Sequence, residues 1–142
     1  YTSVAGDMFH YGHLRLLQKA NELGDFHICG IVTDEVIESY RGSKPIASLK
    51  ERKSIISDLR CVDMVMVQSD LDPKENLKKI HEQFPNTQII LVYGSNWKKV
   101  PGAGYIQKIN GKIVQPQFYE KLSAENIIKK IFKIYRKGVD KK

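Results

Sequence analysis

The apolar positions of the chain follow two alternating periods. Tyr1 to Ala5, Phe26 to Val32, Val62 to Val67 and Gln88 to Tyr93 are short and apolar-rich, as strands buried on both faces require. Between them the spacing turns helical. Leu14 to Leu23 places Leu14, Leu17 and Ala20 on one side, with Gly24 just past its end. Thr33 is placed to cap a short helix through Ser39, and Arg41 to Ile46 reads as a loop carrying Gly42 and Pro45. Ser48-Leu49-Lys50-Glu51 is a capping box that opens a helix to about Arg60. Asp72-Pro73 starts a helix through Phe84, with Leu77, Ile80 and Phe84 inward. Gly94 to Gly111 holds turn residues and one expected short hairpin, and Lys112 to Gln115 reads as a fifth strand. Ser123 caps a last helix whose Ile127, Ile128, Ile131, Phe132 and Tyr135 share one face.

This order of elements, β-α-β-α-α-β-α-β-β-α, predicts an α/β chain with a Rossmann-like, doubly wound parallel sheet. One domain is expected over residues 1–142, since 142 residues suffice for one core and not for two. Such sheets bind ligands beyond the carboxyl ends of their strands, where the strand order reverses. The first strand is usually central, so its exit loop, Gly6 to Gly12, is where chemistry is most expected.

Composition narrows the function. The formal net charge is +7, yet residues 1–120 carry a net of only +1 and residues 121–142 carry +6. The excess sits on the last helix, and Phe132 and Tyr135 lie on its apolar face, away from the lysines. That pattern reads as a solvated basic helix face and no nucleic-acid partner is expected. No apolar run approaches the roughly 18–20 residues of a membrane span, so no membrane partner is expected either. The chain opens Tyr1-Thr2-Ser3-Val4, unlike a signal peptide, and lacks a starting methionine, so residues are expected before Tyr1. Cys29 and Cys61 lie far apart in apolar segments, which suits buried reduced thiols in a cytoplasmic protein.

The exit loop reads Ala5-Gly6-Asp7-Met8-Phe9-His10-Tyr11-Gly12-His13-Leu14. It is neither a dinucleotide fingerprint nor a Walker loop. It sets two histidines three apart, with a glycine between them, at a helix N-terminus that favours phosphate. Gly12 would let the backbone approach a bound group, and two imidazoles can donate to charge developing on phosphorus. The same residues also fit plain polar caps. His10 and His13 with Asp7 could form a metal set, but no further Cys or His completes it and no metal ligand is assigned. His27 and His81 stand in no motif and read as surface or strand residues.

His10-Tyr11-Gly12-His13 matches the HxGH signature, and the chain resembles the nucleotidylyltransferase superfamily, most closely its small glycerol-3-phosphate cytidylyltransferase-like branch. The resemblance spans nearly the whole chain. Asp7-Met8-Phe9-His10 resembles the family's entry to the motif. Glu51-Arg52-Lys53 with Ile55-Ile56, then Arg60-Cys61-Val62-Asp63, resembles its E-R-x-x-x-I helix and R-x-V-D strand entry. Gly94-Ser95-Asn96-Trp97 falls where the family has Gly-Asp-Asp-Trp, and Leu122-Ser123 falls on its R-T-E-G-I-S-T-T segment.

The resemblance implies a cytoplasmic enzyme that transfers a nucleotide monophosphate from CTP to a small phosphorylated alcohol or sugar. Pyrophosphate leaves, Mg²⁺ accompanies the triphosphate, and the enzyme is a homodimer. His10 and His13 would hold the phosphates, with Lys44 and Arg52 neutralising their charge. Ala5, Gly6, Asp7, Gly12 and the segment Tyr93, Gly94, Ser95, Asn96 and Trp97 would border the nucleotide. The last motif departs from the family: Phe118 stands at the arginine position, Lys121 at the glycine, and Ser123 alone keeps its hydroxyl. Lys121 is therefore expected to replace the lost charge. An ATP-using adenylyltransferase of the heptose phosphate or flavin mononucleotide type is the alternative, since Arg41-Gly42-Ser43-Lys44-Pro45-Ile46 resembles the heptose branch. A non-catalytic nucleotide-binding protein is the third reading.

Overall fold

The computed structural model describes the backbone of residues 1–139 and the side chains of residues 1–136. The last three positions of the expected domain lie outside the described residues. Five strands, β1 (Thr2–Val4), β2 (Ile28–Val32), β3 (Met64–Gln68), β4 (Ile90–Val92) and β5 (Lys112–Val114), form one sheet in the order β3-β2-β1-β4-β5. Every pairing is parallel, with Thr2 opposite both Cys29 and Val92. The chain winds outward from β1 to β3, returns, and winds the other way through β4 and β5. The reversal lies between β1 and β4, as a doubly wound sheet requires.

The helices are α1 (Tyr11–Leu23), α2 (Asp34–Arg41), α3 (Leu49–Ser57), α4 (Lys74–Gln83), α5 (Ala103–Lys108) and α6 (Ala124–Val139). Two apolar cores follow from strand alternation. Tyr1, Ile28, Leu91 and Tyr93 meet Leu77 and Ile80 of α4 and Ile106 of α5 on one side. Val4, Cys29 and Ile31 meet Leu17 of α1 and Ile56 of α3 on the other. Consecutive residues Ile28 and Cys29 thus feed opposite cores, which explains why β2 is buried along its whole length.

The first core holds a polar network. The Tyr1 hydroxyl donates to Gln68 Oε1 at 2.7 Å and accepts from Asn76 Nδ2 at 3.0 Å. Gly30 makes this possible, because a Cβ there would lie 1.9 Å from the Tyr1 hydroxyl. Cys29 and Cys61 are both buried free thiols, and burial pushes the Cys29 thiol up to about 12.

Four sequence expectations change, the simplest being Phe84, read as inward but 42% exposed as the C-cap residue of α4. The segment after Gly94 contains α5 and no hairpin. Gly104 inside a short helix hides the helical pattern, and the fold selects the helix because Ile106 fills the first core. Gly102, left-handed at φ 85°, starts it where a Cβ would strike Pro73 at 2.9 Å. α1 begins at Tyr11, three residues before the apolar periodicity, because His10 caps it. His27 is neither a surface nor a plain strand residue: it is buried, with Nδ1 donating to the Cys61 carbonyl and Nε2 accepting from Thr2 Oγ1 at 2.8 Å. The tautomer follows from the carbonyl, which can only accept.

Candidate functional site

A cleft of about 260 Å³ opens at the carboxyl ends of β1 and β4, where the strand order reverses. Ser3, Val4 and Ala5 form its floor, the start of α1 one wall, and the segments 94–97 and 116–124 the other.

The two histidines are brought together at the N-terminus of α1. His10 is the extended N-cap residue, and its Nδ1 accepts the Gly12 N–H at 3.0 Å. His13 Nδ1 accepts the His10 N–H at 3.2 Å. Each Nδ1 is an acceptor, so each neutral ring carries its proton on Nε2. The ring centroids are 3.9 Å apart, and Phe9 stacks on His13 at 5.3 Å. Burial, then the neighbouring His10 ring, pushes His13 down to about 4, and burial lowers His10 too. Two neutral N–H donors therefore sit side by side at a helix N-terminus. Gly12 serves a purpose that spacing alone did not suggest: a Cβ there would lie 2.8 Å from the His10 ring and 3.2 Å from the Leu122 carbonyl. It makes room for the ring and for the segment before α6.

The approach to this pair is strained and anchored. Gly6 has φ 69° and Met8, which has a side chain to accommodate, has φ 48°. Between them the buried Asp7 carboxylate accepts from Arg41 Nη1 at 2.7 Å, the Ile46 N–H at 3.0 Å and the Ala47 N–H at 3.0 Å. Burial raises the Asp7 carboxyl, but these three bonds outweigh it and hold it below the usual carboxylate range. Asp7 thus fastens the loop 42–47 to the exit of β1, across roughly forty residues of sequence.

Arg52 is wholly buried in α3. Its guanidinium donates to the Ala47 carbonyl at 3.1 Å, the Ala5 carbonyl at 2.6 Å, the Val32 carbonyl at 2.8 Å and Asp34 Oδ1. It ties together the exits of β1 and β2 and the loop. Asp34, in the first turn of α2, is its ion-pair partner; Glu51 instead closes the capping box with Ser48, and Asp63 accepts the His27 N–H.

On the opposite wall, Ser95 Oγ accepts the Phe118 N–H at 2.9 Å, and Gln115 Nε2 donates to the Gly94 and Trp97 carbonyls at 3.2 and 2.8 Å. These bonds lash the two segments into one surface. Tyr93 lies buried behind it, edge-on to Trp97 at 5.4 Å. Tyr119 meets Tyr11 edge-on at 5.0 Å and closes the gap to α1. Ser123 Oγ caps α6, accepting from the Asn126 N–H at 3.1 Å.

Of the residues singled out from sequence, Ala5, Asp7, His10, Gly12, His13, Gly94, Asn96, Trp97 and Ser123 line the cleft. Gly6, Tyr93 and Ser95 shape it from behind. Lys44 and Lys121 are exposed and outside its lining, and Arg52 is consumed by internal acceptors. The cations that do line it are Arg15, Lys19 and Arg41. Arg15 and Lys19 stand one turn apart on α1, and their i, i+4 spacing downstream of His13 was the available signal. Phe118, at the arginine position of the last motif, lines the cleft beside Gly94.

A resident metal does not fit this set. Among the described residues no three His, Cys, Asp or Glu side chains converge, and Asp7, the acidic residue of the lining, has both oxygens engaged. Among the same residues no helix is long and apolar enough to cross a membrane.

The chain is 30% identical to the bifunctional protein HldE of Syntrophotalea carbinolica over 97% of its own length and 28% of that protein. It is 35% identical to HldE of Helicobacter pylori over 92% of its length and 27% of that protein. The chain therefore spans about a quarter of the length of these relatives. A lipopolysaccharide core biosynthesis protein from Thermoplasma volcanium shares the fold, with a TM-score of 0.64 at 23% identity, covering 84% of this chain and 95% of that one. The cytidylyltransferase-like family model matches residues 7–130, from Asp7 of the cleft into α6, and the chain belongs to that family of nucleotidyltransferases.

Proposed function

We propose that the cleft transfers a nucleoside monophosphate from a nucleoside triphosphate to a small phosphorylated sugar or alcohol. A phosphate oxygen of the acceptor attacks the α-phosphorus; the bond to the bridging oxygen breaks, and pyrophosphate leaves with that electron pair. The observation that carries this reading is the pair of neutral histidines, His10 and His13, held by their Nδ1 atoms at the α1 N-terminus with neither Nε2–H bonded among the described residues. Donors fixed before the reaction need no reorganisation as charge builds on the five-coordinate phosphorus. Neutral rings suit hydrogen bonding; a charged pair 3.9 Å apart would repel.

Arg15, Lys19 and Arg41 supply the positive charge that two phosphorylated substrates need to approach one another. Arg15 and Lys19, deeper along α1, are assigned to the acceptor phosphate. Arg41 and the anchored loop with Lys44 are assigned to the triphosphate, and Lys44 reaches it only if the loop folds over the cleft. Asp7 and Arg52 position; they do not touch phosphate. Magnesium would enter with the triphosphate and supply further charge neutralisation.

Between the two donors, similarity to HldE proteins and the heptose-like Arg41–Ile46 loop support ATP with a sugar phosphate acceptor. CTP with a phosphorylated alcohol is the second reading, supported by the likeness to the small cytidylyltransferases. Buried thiols suit a cytoplasmic setting. Pyrophosphate release is to be measured from each of the four nucleoside triphosphates against a panel of phosphorylated sugars and alcohols. Release with ATP and a sugar phosphate is expected; silence across the panel sinks the proposal and leaves a nucleotide-binding protein.

A further inference from the structure

α6 stands out from the body of the chain. From Ile128 to Arg136 every residue is exposed, with Phe132, Ile134 and Tyr135 at 68%, 66% and 65%. Only the start of the helix is held, through the Ser123 cap and the half-buried Ile127. At about 3.6 residues per turn, Ile127, Ile128, Ile131, Phe132, Ile134 and Tyr135 share an arc of about 160°. The opposite arc carries Lys129, Lys130, Lys133 and Arg136. Glu125 is its one acid between residues 124 and 136, and it pairs with Lys129 at 2.7 Å.

We propose that α6 docks the chain on an anionic membrane surface, lying in the plane of the headgroups with its apolar arc down. The sequence expectation of no membrane partner rests on spanning length alone. A helix that lies in the interface asks for something else: a wide apolar arc backed by a strongly basic face. α6 has both. An isolated helix of this length is marginal in water, so an uncovered apolar arc needs a surface to pack on.

An apolar arc by itself fits any apolar partner; the placement of the cations selects the bilayer. Lys130 borders the arc beside Ile134, and Arg136 borders it beside Phe132, each pair four residues apart and so neighbours on the helix surface. With the arc sunk to the acyl boundary, these flanking cations stand at phosphate level, where long side chains snorkel. Lys133 lies opposite the arc and adds to the attraction. A protein partner would have to present acids along both borders to match them, whereas an anionic lipid surface presents phosphates everywhere. Charge is also concentrated where the apolar face is: residues 121–142 carry a net of +6 and residues 1–120 only +1. A merely solvated basic face leaves the apolar arc without a purpose.

Docking is read without substrate, so its failure is distinct from failure of the transfer reading. The 142-residue chain should float with vesicles of phosphatidylglycerol and phosphatidylcholine, and not with phosphatidylcholine alone. Salt at about 1 M, where the screening length falls to about 3 Å, should release most of it. Phe132→Glu should abolish flotation and, because Phe132 is exposed, melt like the wild type. Lys133→Ala with Arg136→Ala should weaken partitioning about 25-fold, since each cation near an anionic surface is worth about fivefold. Where Phe132→Glu fails to fold, Ile134→Cys carrying an environment-sensitive fluorophore should shift to the blue on anionic vesicles. No flotation with anionic vesicles, flotation indifferent to Phe132→Glu, no fluorophore shift, or equal flotation on both compositions overturns the proposal. So does a dimer in sedimentation velocity that Phe132→Glu dissociates and anionic vesicles leave intact, which would put a second copy on this face.

Discussion

His13 Nδ1 accepts the backbone N–H of His10 at 3.2 Å, so the second histidine of the motif caps the residue that is itself the first. The His10 ring does the same for Gly12. On the proposed reading, structural and chemical duties fall on different atoms of one ring: Nδ1 closes the helix end and Nε2 faces the phosphates. The two duties can be separated. Asparagine offers an acceptor oxygen to the cap but no second ring nitrogen. His10→Asn should keep the melting temperature within a few degrees and lower turnover by about 10²–10³, the effect of one lost transition-state donor. His10→Ala should lose that and about 1 kcal/mol of stability besides. Equal turnover in wild type and His10→Asn would confine the ring to its capping role.

The same geometry sets a pH dependence. The native His13 value, about 4, lies below the ordinary 6.5, so the folded state favours the neutral ring. Its contribution is fully present above pH 6.5 and is lost as pH falls from there toward about 4. His10 and His27 are lowered as well and add to the same window. Asp7 acts in the same direction at lower pH: its lowered carboxyl keeps its contribution at every pH above the usual carboxylate range and loses it only below. Thermal melts should therefore fall between pH 6.5 and 4, and His13→Gln should flatten that slope. An unchanged slope in His13→Gln would refute the assignment.

The sheet was legible from the chain because its strands are continuous apolar runs and its helices obey the helical period. The histidine pair was legible because spacing alone puts both at one helix end. Arg52 was not. Its sequence neighbours Glu51 and Lys53 suggest an exposed, charged turn, and only the meeting of Ala5, Val32, Asp34 and Ala47 in space shows why a guanidinium is buried there. Asp7 likewise reads as a site carboxylate until the loop 42–47 arrives on it. Local pattern reports which face of an element is apolar; it carries no information on which distant carbonyls converge.

Arg52 should accordingly behave as a positioning residue. Arg52→Ala leaves three carbonyls and a carboxylate without their donor and should destabilise by about 3–5 kcal/mol in urea unfolding. Arg52→Lys should recover little, since one ammonium cannot reproduce the planar fork. Wild-type stability with lowered triphosphate affinity in Arg52→Lys would instead place the side chain on phosphate.

Asp7 is testable through the loop it holds. Asp7→Asn removes the charge from the Arg41 pair and replaces one acceptor oxygen by a donor that faces at least one of the three N–H groups. The loop should come free, and trypsin should cut after Arg41 much faster than in wild type while the sheet stays folded. Unchanged cleavage would show that the loop is held by something other than this carboxylate.

The family's arginine is Phe118 here, and its nearest substitute in sequence, Lys121, is exposed and outside the cleft. Arg15 and Lys19 line the cleft from α1, on the side of the histidines away from the strand exit. Lys19 shares its charge with Glu22 at 3.5 Å, an exposed pair that costs little to break. Arg15 takes part in no ion pair or side-chain hydrogen bond seen among the described residues, so its fork is available to a phosphate. Arg15→Ala should raise KM for the phosphorylated acceptor by one to two orders of magnitude, about 1.5–3 kcal/mol for a charged hydrogen bond. KM for the triphosphate should change little. Lys19→Ala should act in the same direction but less, and Lys121→Ala should alter neither constant. If Arg15→Ala instead raises KM for the triphosphate alone, the two substrates occupy the cleft in the reverse order. If Lys121→Ala matters most, the segment before α6 must close over the cleft during turnover.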